Sequence, residues 1–156
     1  KEYLRDFKGT WRRLEYKGRE NNKEDENIFY DDYAHHPTEI RASLLALKEK
    51  YKDREIVAVF EAHQQSRTRL LFDDFVKALS LADRVFIAPI FITREIDDGE
   101  TTNAKLALAI NKFTPALPVE NVAELKSELQ KLNSKKLCIV LMGAGNIYHW
   151  TPHLLN

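Results

Sequence analysis

Cysteine is almost absent from this sequence. The single thiol, Cys138, cannot form an internal disulfide, so the expectation is a reducing, cytoplasmic setting. Neither sign of charge is in excess: 24 basic and 24 acidic side chains cancel. That balance argues against a strong electrostatic grip on nucleic acid or an anionic membrane. No run reaches the roughly 18 apolar residues of a membrane span, and no charged-then-apolar leader opens the chain. There is no repeat, low-complexity tract or internal linker. A P-loop is missing too: nowhere does G-x-x-x-x-G-K precede Ser or Thr, so the chain cannot hold a nucleoside triphosphate by a P-loop of its own. The sequence also begins at Lys1, without Met, which reads as a trimmed piece of something longer.

What is present is a globular composition. Apolar residues make up 44% and aromatics 10% of 156 residues, which excludes a disordered chain and fits one domain with a real core. Three apolar runs read as buried strands: Glu55–Phe60, Arg84–Ile92 and Leu137–Met142. Asn27–Tyr30 is a shorter candidate, Ala116–Val119 a weaker one, and Trp11–Tyr16 reads as an exposed or edge strand. The polar stretch Gly18–Asn27 reads as a solvated hairpin loop. Helical spacing runs through Thr38–Tyr51 with Pro37 in the first turn. It recurs in Arg67–Leu81, with Ser66 or Thr68 placed to cap it, and in Thr102–Phe113. In Asn121–Leu132, Asn121 and Glu124 resemble a capping box. Strands alternating with helices imply one α/β domain, with a mostly parallel sheet covered on both faces.

In such sheets ligands bind at the carboxyl ends of the strands. Here those ends are polar: DDYAHHP at 31–37, EAHQQSRT at 61–68 and GAGN at 143–146. If parallel strands share a rim, two carboxylates and three of the five histidines converge on it. Each feature has two readings. Asp31 and Asp32 either bond to turn amides or take part in chemistry. His35 and His36 either sit in a turn, one packed and one solvated, or His35 joins Asp31, Asp32 and His63 in a metal-dependent phosphoesterase site, although no spacing matches a familiar metal motif. Gly143 and Gly145 do not make the G-x-G-x-x-G dinucleotide fingerprint. Cys138, in mid-strand, reads as an inert core thiol. His149 and His153 read as surface positions.

The rim strings together resemble the C-terminal domain of the Mur ligases. They are FKGTWRRLE (7–15), DDYAHHPTEI (31–40), VFEAHQQSRT (59–68) and MGAGNI (142–147), in the family's order across essentially the whole chain. The alanine-adding branch of the family matches best. The resemblance implies a Rossmann-like, three-layer domain of about six strands over residues 1–156. The UDP-sugar and P-loop ATPase domains would lie outside this chain. It implies a bacterial, cytoplasmic ligase of peptidoglycan synthesis, and so of cell shape and division. ATP, with Mg held mainly by the absent central domain, would activate the carboxylate of UDP-N-acetylmuramate for attack by L-alanine. By position, Arg13 and Asp32 would be catalytic and ATP-binding, Arg13 at the phosphates and Asp32 at the ribose. Tyr33, His35, His63 and Arg67 would form the amino-acid pocket, with Arg67 on the carboxylate. The implied partners are UDP-N-acetylmuramate, L-alanine, ATP and the enzyme's other domains; nucleic acid, membrane and a resident metal in this domain are not among them. The fragment alone would be inactive.

One departure bears on specificity. The family usually has Gln-Pro-His-Arg where this chain has Glu61-Ala62-His63-Gln64, so one positive charge is missing beside the implied carboxylate site. A sister enzyme, the murein tripeptide-recycling ligase, carries a similar D-D-[FY]-A-H-H-P string and is the alternative. His63 with Ser66-Arg67-Thr68 favours the alanine branch. A non-catalytic relative that binds a nucleotide or peptide is the remaining reading.

Overall fold

Valine, isoleucine and phenylalanine crowd the three apolar runs, and those runs become adjacent strands. The computed structural model describes residues 9–20, 27–92, 99–132 and 136–155. Phe7, Lys8 and residues 21–26 of the expected hairpin loop lie outside them. The strands are β1 (Glu15–Arg19), β2 (Ile28–Asp32), β3 (Glu55–Phe60), β4 (Arg84–Ile87), β5 (Ala116–Pro118) and β6 (Leu137–Met142). Among the described residues they form one six-stranded sheet in the order β1-β2-β6-β3-β4-β5. All neighbours are parallel except β1, which runs antiparallel to β2. The helices are α1 (Pro37–Lys50), α2 (Gln65–Leu70), α3 (Phe72–Leu79), α4 (Asn103–Ile110), α5 (Val122–Gln130) and α6 (Thr151–Leu154).

Successive strand residues point to opposite faces, so a buried parallel strand feeds two cores at once. In β6, Cys138, Val140 and Met142 join a core with Leu44 of α1, Phe75 of α3 and Leu106 of α4. Leu137, Ile139 and Leu141 join a second core with Leu125 of α5 and Leu154 of α6. This is the three-layer α/β arrangement expected from the sequence. Each large side chain fully buried here contributes about 1.5–3 kcal/mol. Burial pushes the Cys138 thiol up to about 12, so it packs as a small hydrophobe.

The ends of the elements differ from the sequence expectation in four places. The first strand is Glu15–Arg19, not Trp11–Tyr16, because residues 11–14 form a turn with Arg12 and Leu14 in the left-handed region (φ 52° and 44°). β2 runs two residues further, through Asp31 and Asp32, which pair with Leu141 and Met142. β4 stops at Ile87, two residues before Pro89, which has no N–H for a ladder. The helix read over Arg67–Leu81 is two helices broken at Leu71 (φ −108°, ψ 22°). Neither Ser66 nor Thr68 caps it: the cap position is Gln64, without a side-chain bond. The Thr68 hydroxyl instead donates to the Gln64 carbonyl at 2.8 Å, a back-bond that bends helices. The Asn121 cap follows the sequence, whereas the His36 cap was not expected from it. His36 accepts from the Thr38 N–H and Glu39 reaches back to the His36 N–H, while Asn121 accepts from the Glu124 N–H.

Candidate functional site

Parallel pairing of β2, β6 and β3 brings their carboxyl ends level. The Gly143 N–H donates to the Asp32 carbonyl and the Glu61 N–H to the Met142 carbonyl. The polar loops after these strands therefore share one rim. Pleating, however, separates the two aspartates. Asp31 is 1% exposed and accepts from the Thr151 hydroxyl, with Lys17 3.7 Å away. Asp32 points to the other face, accepting from the Ser43 hydroxyl and, at 3.3 Å, from the Ala34 N–H. Burial raises both carboxyls above their ordinary range, and these hydrogen bonds partly offset the rise. Asp31 thus fastens the C-terminal segment and lies away from the cleft, so the two cannot serve one ion. Among the described residues, no three His, Cys, Asp or Glu side chains come together as metal ligands.

Asp32 opens onto a cleft of about 300 Å³ lined also by Arg13, Leu14, Ala34, Glu39, Ala42 and Ser43. The Arg13 side chain is half exposed and lies 3.7 Å from the Glu39 carboxylate. Its guanidinium also stands over the Tyr33 ring at 5.4 Å. A half-exposed planar cation therefore shares an open cleft with a buried acceptor. That pairing suits a ligand carrying both phosphate and hydroxyl groups.

Tyr33 links this cleft to a second cluster. Its ring meets His35 edge-on at 5.3 Å, and His35 in turn meets His63 at 6.4 Å. His35 Nδ1 lies 3.0 Å from the Tyr33 carbonyl and 3.5 Å from Glu39. His63 packs against Phe91 at 5.6 Å and forms an isolated parallel bridge with it. Gln64 follows with φ 71° and ψ 127°, a strained conformation for a residue with a side chain. The Gln64 N–H donates to Phe91, and its carbonyl accepts from Thr68. Arg67 stands in the first turn of α2, partly buried. The structure therefore groups Arg13 with Asp32, and Tyr33 with His35 and His63.

Two charged residues of this rim had no role assigned in the sequence reading. Arg12, there only part of the expected exposed or edge strand Trp11–Tyr16, is 3% exposed. Its guanidinium donates to the Gly143 carbonyl and lies 4.3 Å from the Tyr148 ring centre, 5.0 Å from Tyr33 and 5.5 Å from Trp11. Glu61, 7% exposed, accepts from the Asn146 N–H at 2.8 Å. Burial raises its carboxyl, against the pull of the Asn146 and Ile147 amides and of Arg12. The aromatic residues near the ends of the matched strings were the available signal: an arginine among three rings is a candidate for burial.

The model of the family "Mur ligase, glutamate ligase domain" matches residues 12–145. The chain is 44% identical over 147 residues to a UDP-N-acetylmuramate–L-alanine ligase of Streptococcus agalactiae, covering 94% of this chain and 31% of that protein. Among solved structures, it superposes on UDP-N-acetylmuramate–alanine ligase of Thermotoga maritima with a TM-score of 0.73 and 28% identity, over 99% of this chain and 31% of that one. A murein peptide ligase of Psychrobacter arcticus shares the fold (TM-score 0.70, 23% identity, 97% of this chain and 31% of that one). The chain thus spans about a third of the length of the ligases it matches. With the family model covering most of its length and every matched loop on one rim, the chain belongs to the Mur ligase, glutamate ligase domain family.

Proposed function

We propose that this chain is the C-terminal, amino-acid-bearing domain of a cytoplasmic ATP-dependent ligase that joins L-alanine to UDP-N-acetylmuramate. The observation that carries the reading is Tyr33, whose ring lies under the Arg13 guanidinium of the cleft and also meets His35, which in turn meets His63. In this reading closure of the enzyme's domains brings the two ligands together beside that ring. The 44% identity to a ligase of that name supports the same assignment.

In this reading the γ-phosphoryl group of ATP passes to the sugar's carboxylate. The alanine amine attacks the resulting acyl phosphate, and inorganic phosphate leaves from the tetrahedral intermediate. Arg13 neutralises phosphate charge, and Asp32 accepts from the ribose hydroxyls. Tyr33, His35 and His63 surround the amino acid, and Arg67 takes its carboxylate. Catalysis is then mainly placement and charge neutralisation, with this domain acting as a lid that carries one substrate. In this reading Mg accompanies the ATP phosphates and is held mainly by the central domain.

The test is a ligase assay of the full-length protein with UDP-N-acetylmuramate, ATP and a panel of amino acids. Preference for L-alanine is expected. Preference for the tripeptide L-alanyl-γ-D-glutamyl-meso-diaminopimelate would replace this reading with the recycling one. No ligation of any amine would leave a binding module.

A further inference from the structure

The Arg12 side chain is buried although the turn that carries it is at the surface. Its own backbone is in the left-handed region, as is that of Leu14, and such strain persists only where surrounding bonds over-determine it. Here the bonds come from three sides. The Arg12 N–H donates to the Glu15 carboxylate at 2.9 Å, and its carbonyl accepts from the Tyr33 N–H at 2.6 Å. Its guanidinium crosses to the far strand end and donates to Gly143. One residue thus joins the turn at 10–14, the end of β2 and the loop after β6.

The ring contacts extend that junction. The guanidinium lies close to both Tyr33 and Tyr148, and Tyr148 also meets Trp11 edge-on at 5.7 Å. A planar cation near two rings and bonded to a carbonyl has little freedom to rotate. Across the loop, Glu61 accepts from Asn146 and holds the other end of 143–147 to the end of β3. Gly143 itself has φ 155°, and a Cβ there would lie 2.7 Å from the Glu61 carbonyl oxygen, so the loop runs tight against β3.

We propose that Arg12 is a positioning residue for the amino-acid site: by clamping Tyr33, Tyr148 and Gly143 together it fixes Tyr33 between the two ligand clusters and holds the 143–147 loop in register. The proposal rests on the ligase reading for its consequence in catalysis, but the clamp itself is a property of the unliganded protein. Arg13, its neighbour, is half exposed at the cleft, where Glu39 and the Tyr33 ring are its partners.

The full-length protein with Arg12→Lys, Arg12→Gln or Tyr148→Leu tests this by amide hydrogen exchange and steady-state kinetics. Tyr148→Leu attacks the clamp from the opposite side and serves if the arginine variants fold poorly. Exchange at residues 143–147 and at Tyr33 should speed up about tenfold or more in each variant, while that of Val57–Val59 in β3 stays within about twofold. The KM for the amino acid should rise about tenfold with kcat changed much less, and lysine should fail to restore it, since it keeps the charge but not the planar fork. Uniform acceleration across the strands, an unchanged KM in an enzyme that does ligate alanine, or rescue by lysine would each overturn the clamp. Local loosening in a protein that ligates no amino acid would uphold the clamp and sink only the ligase reading.

Discussion

Replacing Gly145 with alanine would place a methyl group 2.0 Å from Glu61 Oε1 and 2.7 Å from Phe91 Cγ. Gly145 does not have a positive φ, so the substitution probes contact and not backbone strain. A free carboxylate would swing aside at little cost. This one is buried and holds the Asn146 amide at 2.8 Å, so retreat by more than an ångström breaks that bond. Losing a hydrogen bond to a charged group costs about 1.5–3 kcal/mol, and overpacking a filled site adds about 1–3 kcal/mol. The sum, about 2.5–6 kcal/mol, is a large share of the roughly 5–15 kcal/mol that holds a domain folded. For a domain of this size that corresponds to a fall in Tm of about 5–24 °C. Differential scanning calorimetry measures it. Gly99→Ala is the comparison, since a Cβ there meets nothing within 4 Å and only its φ of +63° opposes the change. In a Glu61→Ala background the Gly145→Ala change should cost much less, because its main obstacle has gone. A Tm shift under about 2 °C, or an equal cost in both backgrounds, would refute the reasoning.

Further expectations concern pH and substrate. Burial raises Glu61 above 4.5 and the two aspartates above 3.8. The folded state therefore keeps protons that the unfolded chain has released, and these groups cost stability as pH climbs through the interval above those values. The destabilisation caused by Glu61→Gln should accordingly shrink between pH 4.5 and pH 7 in urea titrations; a deficit that grows with pH would contradict the burial argument. In the full-length enzyme, Arg67→Ala should raise the KM for L-alanine about 10- to 100-fold and that for ATP far less, and equal increases would remove Arg67 from the pocket. Asp32→Asn should do the converse, raising the KM for ATP about tenfold. The 156-residue chain alone should hydrolyse no ATP, so steady turnover by clean protein would refute the role of a substrate-carrying lid.

The layers of the fold were legible because the signals were local. Runs such as Leu137–Met142 are apolar on both faces, and only a covered parallel strand accommodates that. The strand ends were less legible. Asp31 and Asp32 read as turn residues, yet they belong to β2, because Thr151 and Ser43 satisfy them from opposite sides across long sequence separations. The break at Leu71, with φ −108° and ψ 22°, interrupts an apolar stripe whose periodicity runs on unbroken. The two arginines at 12 and 13 are chemically alike, and their difference comes from a left-handed turn that buries one and exposes the other. Glu61, by contrast, is a departure from the usual family string. Its partner amides lie in a different loop, so its role as an anchor emerges only when β3 and β6 stand side by side.

The order of the strands has a consequence for synthesis. β6 is the last of the six in the chain, yet it lies between β2 and β3. A ribosome delivering this domain holds two half-sheets with no common neighbour until residues 137–142 emerge. The loops at 33–36 and 61–64, which come from different halves, meet only at that moment. A half-made chain therefore lacks the assembled rim and exposes two apolar strand edges that call for shielding. Its final strand works as a keystone, completing the sheet and the rim in one step.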